Sequence, residues 1–522
     1  MAETTLWERI LFLDPDYIKS VIKKVKIKVM NRKDKKINHP VPTPQCRDTP
    51  PSKGGETYTI PSCQKTSRSV TTIPVIPPGD LGVKSQKIMN LIRNCTIAGL
   101  IIIAFSCSGV QKENRELAEK ILSDNTLDTV YARASALLAK GFTAGDGYPQ
   151  VWIRDLNTFI ETACEVYDPS VIREKLLVFF TLQQPDSQIV DGYVLKGHVS
   201  WYDPNIYTSP NDTTHVGFKN TVETDQESSL IQAIGKYINK TGDSTILEES
   251  IAGFTVRQRL SMAVGYLLKH RFSEKYGLLT GATTQDWGDC QVEGGAVVDI
   301  DNKTHWCVDI YDNAMFVISL GYMTDFEEEQ SEKQKWDSLR QSVKRNIREY
   351  LWDGTKSKFI PHVYLDGSPF PADFNENAIH FHGGTAIAIE AGILSKDEML
   401  TVYRQMVDNV KLSGAPTIGL TLYPPYPDGI IKDSNTCKPY IYQNGGDWTW
   451  FGGRMVQQLI ANGFVAEAYE SIRPMLDRVI ANDKFSEWYS VDGKPNGSGD
   501  FRGEAGVLAK AVVMLHKWAE NI

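Results

Sequence analysis

From residue 115 to the C-terminus, apolar residues recur at three- and four-residue intervals in a dozen separate blocks. That period puts them on one face of an α-helix. The blocks predict helices over 117–139, 156–166, 170–182, 228–239, 246–270, 309–322, 332–351, 384–391, 396–408, 449–462, 465–481 and 504–518. Short connections alternate with long ones rich in Gly, Pro, Asp and aromatics, over 142–155, 186–225, 277–308, 361–383 and 412–448. This alternation predicts helical hairpins stacked side by side and closed into a ring. The expected fold is therefore all-α. No strand-rich segment is long enough for a second domain, so one domain is expected over 115–522. The long loops would gather at one mouth of the ring, where a rigid scaffold can present functional groups.

Upstream the pattern changes. Residues 19–36 are lysine-rich and 40–78 are a Pro/Ser/Thr stretch with few apolar positions. Neither can bury enough surface to offset the entropy of ordering it. After Met89 come Arg93, an apolar run over 96–105, and Ala104-Phe105-Ser106-Cys107. A short basic region, about ten apolar residues and small residues before a cleavage point describe a secretory signal peptide. The run is short for a membrane span, which needs about 20 apolar residues. The segment resembles a lipobox, and resemblance to bacterial lipoproteins implies that Cys107 becomes the acylated first residue. The expected organisation is an N-terminal extension (mis-assigned or disordered) over 1–88, a signal peptide over 89–106, acylated Cys107 with a tether to 114, and the helical domain. Acylation implies a cell-envelope location, with membrane contact through the lipid alone. The other reading is a membrane anchor behind a genuine cytoplasmic tail.

The net charge of -8, with no basic stripe in the long C-terminal part, argues against a nucleic-acid partner. The 11 Trp and 22 Tyr suit stacking on sugar faces, and equally suit filling a core. Cys46, Cys63, Cys95, Cys107, Cys164, Cys290, Cys307 and Cys437 form no CxxC pair, so neither a zinc site nor a dense disulfide framework is indicated. HExxH, GxxxxGK[ST] and GxSxG are absent. His380-Phe381-His382 could offer two metal ligands but reads more simply as a loop feature or a sugar hydrogen-bonder. No metal and no cofactor are expected.

Carboxylates cluster beside Trp at the predicted helix starts. Trp152-Ile153-Arg154-Asp155 puts forked donors next to an acceptor, which suits vicinal hydroxyls. Glu223-Thr224-Asp225-Gln226-Glu227 sets three acids before a helix, where the dipole alone would also favour them. In Asp286-Trp287-Gly288-Asp289, two acids flank an apolar ring. Loss of solvation there raises a carboxyl pKa and makes a general acid. Glu487-Trp488 and Asn444-Gly-Gly-Asp447-Trp448 repeat the theme.

These motifs carry a family resemblance. Trp152-x-Arg154-Asp155 resembles the W-x-R-D of glucoamylases and of the glucosidase part of glycogen-debranching enzymes, where the Arg and Asp hold the sugar. Trp287-Gly288-Asp289 is similar to a W-x-D whose Asp is the general acid. Glu487, followed by Asp492-Gly493 and Pro495, looks like the pattern whose Glu is the general base. Asn444 to Trp448 resembles a segment of six-hairpin glycosidases and sugar phosphorylases. The resemblance implies an (α/α)6 toroid and a glycoside hydrolase acting on an oligosaccharide or polysaccharide, inverting and exo-acting. Asp289 would be the acid and Glu487 the base. Trp152, Arg154, Asp155, Asp225, Glu227, Asp286, Trp287, Asn444, Trp448 and Trp488 would bind substrate. Asp286 competes with Asp289 for the acid's role, and Glu504 with Glu487 for the base's. A phosphorylase on the same toroid, a polysaccharide lyase, or a non-catalytic glycan-binding lipoprotein are the alternatives.

Overall fold

The computed structural model of the chain describes residues 111–199, 205–293, 298–432 and 438–522. The chain divides into two units, Met1–Ile88 and Met89–Ile522, and all described residues belong to the second. The expected extension over 1–88, the signal peptide over 89–106 and Cys107 lie outside the described residues. Residues 111–114, expected as tether, are already helical, in a stretch that runs over 111–122.

Twelve helices follow among the described residues: α1 (Asn125–Leu138), α2 (Ile153–Val166), α3 (Pro169–Thr181), α4 (Gln226–Thr241), α5 (Val256–His270), α6 (Ile310–Phe326), α7 (Gln330–Tyr350), α8 (His382–Glu390), α9 (Lys396–Ser413), α10 (Thr449–Ala461), α11 (Val465–Asn482) and α12 (Arg502–Glu520). The even-numbered helices touch in sequence, α2 to α4, α6, α8, α10 and α12, and α12 returns to α2. They form a closed inner ring, and the odd-numbered helices lie outside it. The fold is a mainly helical (α/α)6 toroid.

Burial separates the two rings. Every residue of α4 from Gln226 to Tyr237 is buried, as is α10 from Thr449 to Met455. Outer α7 buries only Trp336, Val343 and Ile347 of its 21 residues. A helix covered all round needs no polar face, whereas an outer helix needs one apolar stripe. Capping follows the division only in part, since inner α6 is capped by the Asp309 side chain while outer α7 and α11 have no side-chain cap. Asp124, Asp168, Thr255 and Ser395 cap the outer helices α1, α3, α5 and α9 with their side chains. Inner helices α2, α8, α10 and α12 instead start from Trp152, Phe381, Trp448 and Phe501, with no side-chain cap.

Two expected helices are broken. That over 117–139 stops at Ser123, and Asp124 then caps a new helix by accepting Thr126 N–H at 3.0 Å. That over 246–270 is interrupted by the hairpin Ser250–Ile251 to Phe254–Thr255. Its turn residues Ala252 and Gly253 both have positive φ, as a tight two-residue hairpin turn requires. Each inner helix is preceded by a long loop. The loop before α4 carries antiparallel strands Gly192–Leu195, Ile206–Ser209 and Asp212–Phe218, with Val151–Trp152 completing the sheet. Among the described residues no helix is long and apolar enough to cross a membrane.

Candidate active site

Five of the six loops entering the inner ring line one cavity of about 170 Å³. The first supplies Tyr148 and Trp152, with Arg154 and Asp155 from the opening turn of α2; the second supplies Asp191, Asn220 and Glu223. Trp287 and Asp289 come from the third, Tyr442 and Trp448 from the loop before α10, and Glu487 and Phe501 from the last. The six inner helices begin at this end. Their aligned dipoles place partial positive charge there, which favours carboxylates.

Glu487 lies on the strand Ser486–Tyr489, paired with Pro495–Gly499. Its Oε2 accepts the Ser498 N–H at 2.7 Å, and the Tyr148 hydroxyl lies 3.1 and 3.2 Å from its two oxygens. Gly497 has φ of +67°, and a Cβ there would stand 2.4 Å from Oε2. The carboxyl needs that space. Burial pushes Glu487 up to about 7; the Ser498 N–H and Tyr148 oppose this, the charge of Asp289 adds to it, and Tyr442 opposes it. Asp289 is half-buried, and its Oδ1 accepts from Gln443 Nε2 at 2.5 Å. Trp287 stands edge-on to Trp448 and Trp450, with centroids 4.7 and 5.2 Å away. Trp450 donates its indole N–H to Thr158 Oγ1 at 2.5 Å, and Trp448 donates to Tyr442 C=O at 3.1 Å. The three rings form a rigid apolar wall beside the acids.

Among the described residues, Arg154 is the only basic side chain lining the cavity. Its Nε and Nη2 are already engaged, because Asp225 takes Nε at 2.7 Å and Nη2 at 2.9 Å, and Glu223 contacts Nη2 as well. One guanidinium thus serves a crowd of acids. Burial pushes Asp155 up to about 7, with Arg154 opposing and Glu487 and Asp191 adding. Asp191 also reaches about 7 through burial, against the pull of Arg154. Burial likewise pushes Glu223 well above its usual range, with Arg154 opposing. Burial acts on Asp225 too, but the charge and hydrogen bonds of Arg154 and the Tyr311 hydroxyl override it and hold this acid below its usual range. Asp191 Oδ1, Glu223 Oε1 and Trp287 Nε1 are buried with no hydrogen-bond partner among the described residues. Such groups cost stability unless something else satisfies them, and sugar hydroxyls, which both donate and accept, would do so.

Of the expected site residues, the cavity gathers Trp152, Arg154, Asp155, Trp287, Asp289, Trp448 and Glu487. The other five lie outside its lining. Asp225 sits behind Arg154 as its counter-ion. Glu227, in the first turn of α4, pairs with Lys219 at 2.8 Å and accepts the Ile189 N–H. Asp286 turns away at φ of +58° and accepts the Gly384 N–H at the start of α8, at 2.9 and 3.1 Å. Asn444 ties its own loop by accepting the Tyr426 N–H and donating to the Tyr426 and Lys438 carbonyls. Trp488 follows Glu487 on one strand and so faces the opposite side, near Tyr442 at 6.2 Å. Glu504 is also held away, accepting Ser486 N–H, Tyr489 OH and Thr449 OH. His382 Nε2 meets Asn409 Nδ2 at 3.0 Å, and no cluster of metal-ligating side chains occurs among the described residues.

Tyr148, Asp191, Asn220, Glu223, Tyr442, Trp450 and Phe501 line the cavity without having been singled out as binding residues. Glu223 stood inside one of the acid clusters, and Tyr148 and Trp450 lie within four residues of Trp152 and Trp448, so position near a Trp or Asp was a usable signal. Asp191 lies in a loop with no such neighbour.

Residues 124–491 match the glycosyl hydrolase 94 superfamily, catalytic domain. The structure resembles that of the GH63 mannosylglycerate hydrolase from Thermus thermophilus. In the form with Tris and D-glycerate the identity is 14%, coverage is 74% of this chain and 99% of that one, and the TM-score is 0.53. With glucose the values are 13%, 73%, 99% and 0.54. An uncharacterized conserved protein from the same organism matches at 14% identity, 73% and 99% coverage, and a TM-score of 0.52. None of the curated proteins compared matches the chain.

Proposed function

The chain belongs to the glycosyl hydrolase 94 superfamily through its catalytic domain, and from that premise we propose that it hydrolyses the terminal glycosidic bond of an oligosaccharide with inversion. The observation that carries this is the meeting of Asp289 and Glu487, from loops far apart in sequence, in one cavity walled by Trp287, Trp448 and Trp450. Asp289 gives its proton to the departing glycosidic oxygen as the C1–O bond breaks. Water attacks C1 from the opposite face, and Glu487 takes the water's proton. Such a pair stands roughly 6.5–9.5 Å apart in inverting enzymes, against about 5–5.5 Å in retaining ones. The Ser498 N–H and the two phenols favour the ionised form of Glu487, which suits a base.

The composition of the lining supports water over phosphate as the acceptor. A phosphorylase must hold an anion beside the sugar. Here the lining has five acidic side chains and one guanidinium, whose Nε and Nη2 already serve Asp225. With no second cation in the lining to hold an anion, this composition favours water as the acceptor. The same shortage of cations favours an unsubstituted neutral sugar over a uronic acid or a phosphorylated one. The mannosylglycerate hydrolase and the motif resemblance together suggest mannosides and α-glucosides as the first substrates to try. Asp289→Asn and Glu487→Gln should each cut kcat by about 10²- to 10⁴-fold, the usual worth of a general acid or base, with circular dichroism unchanged. Wild-type kcat in either variant would refute its assignment.

A further inference from the structure

Gln443 is fully buried in the loop before α10 and does not line the cavity, yet both ends of its side chain engage Asp289. Its Nε2 donates to Asp289 Oδ1 at 2.5 Å, and its Oε1 accepts the Asp289 backbone N–H at 3.2 Å. The Cys290 thiol approaches the same Oδ1 at 3.4 Å. The neighbouring position fits this clamp: a Cβ on Gly288 would stand 3.0 Å from Gln443 Oε1. The amide is itself held in place, since its backbone carbonyl accepts the Gly445 N–H at 3.0 Å and the Thr421 hydroxyl at 3.4 Å.

An amide nitrogen can only donate. Oδ1 must therefore accept, and a protonated Asp289 has to carry its proton on Oδ2. No hydrogen bond reaches Oδ2 among the described residues, and Asp289 lines the cavity. We propose that Gln443 is a positioning residue: it fixes the rotation of the Asp289 carboxyl and assigns the acidic proton to Oδ2, the oxygen that faces the glycosidic bond. This rests on the reading of Asp289 as general acid. Gln443 touches neither sugar nor water; it acts through Asp289.

A loop staple and a positioner of the acid differ in how they respond to the leaving group. Fluoride leaves with little help from an acid, whereas a phenol of high pKa needs its proton. The probes are α-D-glucosyl fluoride and phenyl α-D-glucopyranoside, or the α-D-mannosyl pair where the wild-type enzyme prefers it. Gln443→Met should lower kcat/KM on the phenyl glycoside by about 10²-fold but on the fluoride by only about threefold. Gln443→Leu, which also lacks any donor but differs in shape, should show the same split. Equal losses on both probes would make Gln443 structural and overturn the inference, as would no loss on either. Asp289→Asn separates the two levels. If it loses the phenyl glycoside selectively while the Gln443 variants track the wild type, only the role of Gln443 fails. If it too tracks the wild type, the assignment of the acid fails with it.

Discussion

Two demands meet at Glu487. Burial and the neighbouring charge of Asp289 push its pKa up to about 7, while the Ser498 N–H, Tyr148 and Tyr442 favour the charged form. A base works only when ionised, so kcat/KM should fall as pH drops through about 7. Tyr148→Phe removes a donor to the charged form. The acid limb should then move to higher pH, and a limb that stays put would mean that the phenol does not tune this carboxyl. Asp289 and Glu487 were legible in the sequence because each is an acid beside a Trp with no Lys or Arg adjacent. Asp286 shows the same composition, and Asp225 and Glu504 are likewise acids at helix starts, but each is a counter-ion or a partner of backbone N–H groups. Which acid faces the cavity depends on φ and on strand side, as Asp286 and Trp488 show, and neither can be read from residue type.

At the scale of elements, four outer helices announce themselves with side-chain caps, and every inner helix but α6 starts without one. Ser395 and Glu398 form a reciprocal capping box at α9, and Asp168 with Pro169 opens α3. The inner helices α2, α8 and α12 start from Trp152, Phe381 and Phe501, so the expected starts at 156, 384 and 504 fall two or three residues late. Their first N–H groups bond to loop carbonyls instead, Ile153 to Asp191, His382 to Thr421 and Arg502 to Ala144. Asp286 accepts from the next free donor of α8, Gly384, which pins the loop that carries Asp289 to the inner ring. Ser395→Ala should cost about 1 kcal/mol in a urea melt and leave kcat alone. Asp286→Ala should cost about 1–3 kcal/mol, because it orphans a buried N–H, and should also lower kcat although Asp286 does not line the cavity. Unchanged kcat in Asp286→Ala would break the link between pin and catalytic loop.

Across the whole molecule, closing the inner ring brings Asp155, Asp191, Glu223, Asp289 and Glu487 around one space with a single guanidinium. The ring was legible because twelve periodic blocks with alternating loops leave few other ways to bury twelve apolar faces. The crowding was not, since it depends on which loops meet. It should have a cost in stability. The Asp155 pKa is raised from its ordinary 3.8 to about 7, so the folded chain binds a proton that the unfolded chain has released between those pH values. This contribution is fully present below pH 3.8 and lost as pH rises through about 7. Asp155→Asn should therefore raise Tm at pH 8 by roughly 2 °C or more and leave it unchanged at about pH 3.5. An equal shift at both pH values would assign the effect to packing. The central claim, that an acid and a base act on a sugar and a water from opposite sides, is tested most directly by proton NMR of the first-formed product, with and without phosphate. The account predicts free sugar of the inverted anomer, released at the same rate in both buffers. A retained anomer, or a sugar 1-phosphate whose formation requires phosphate, would contradict it.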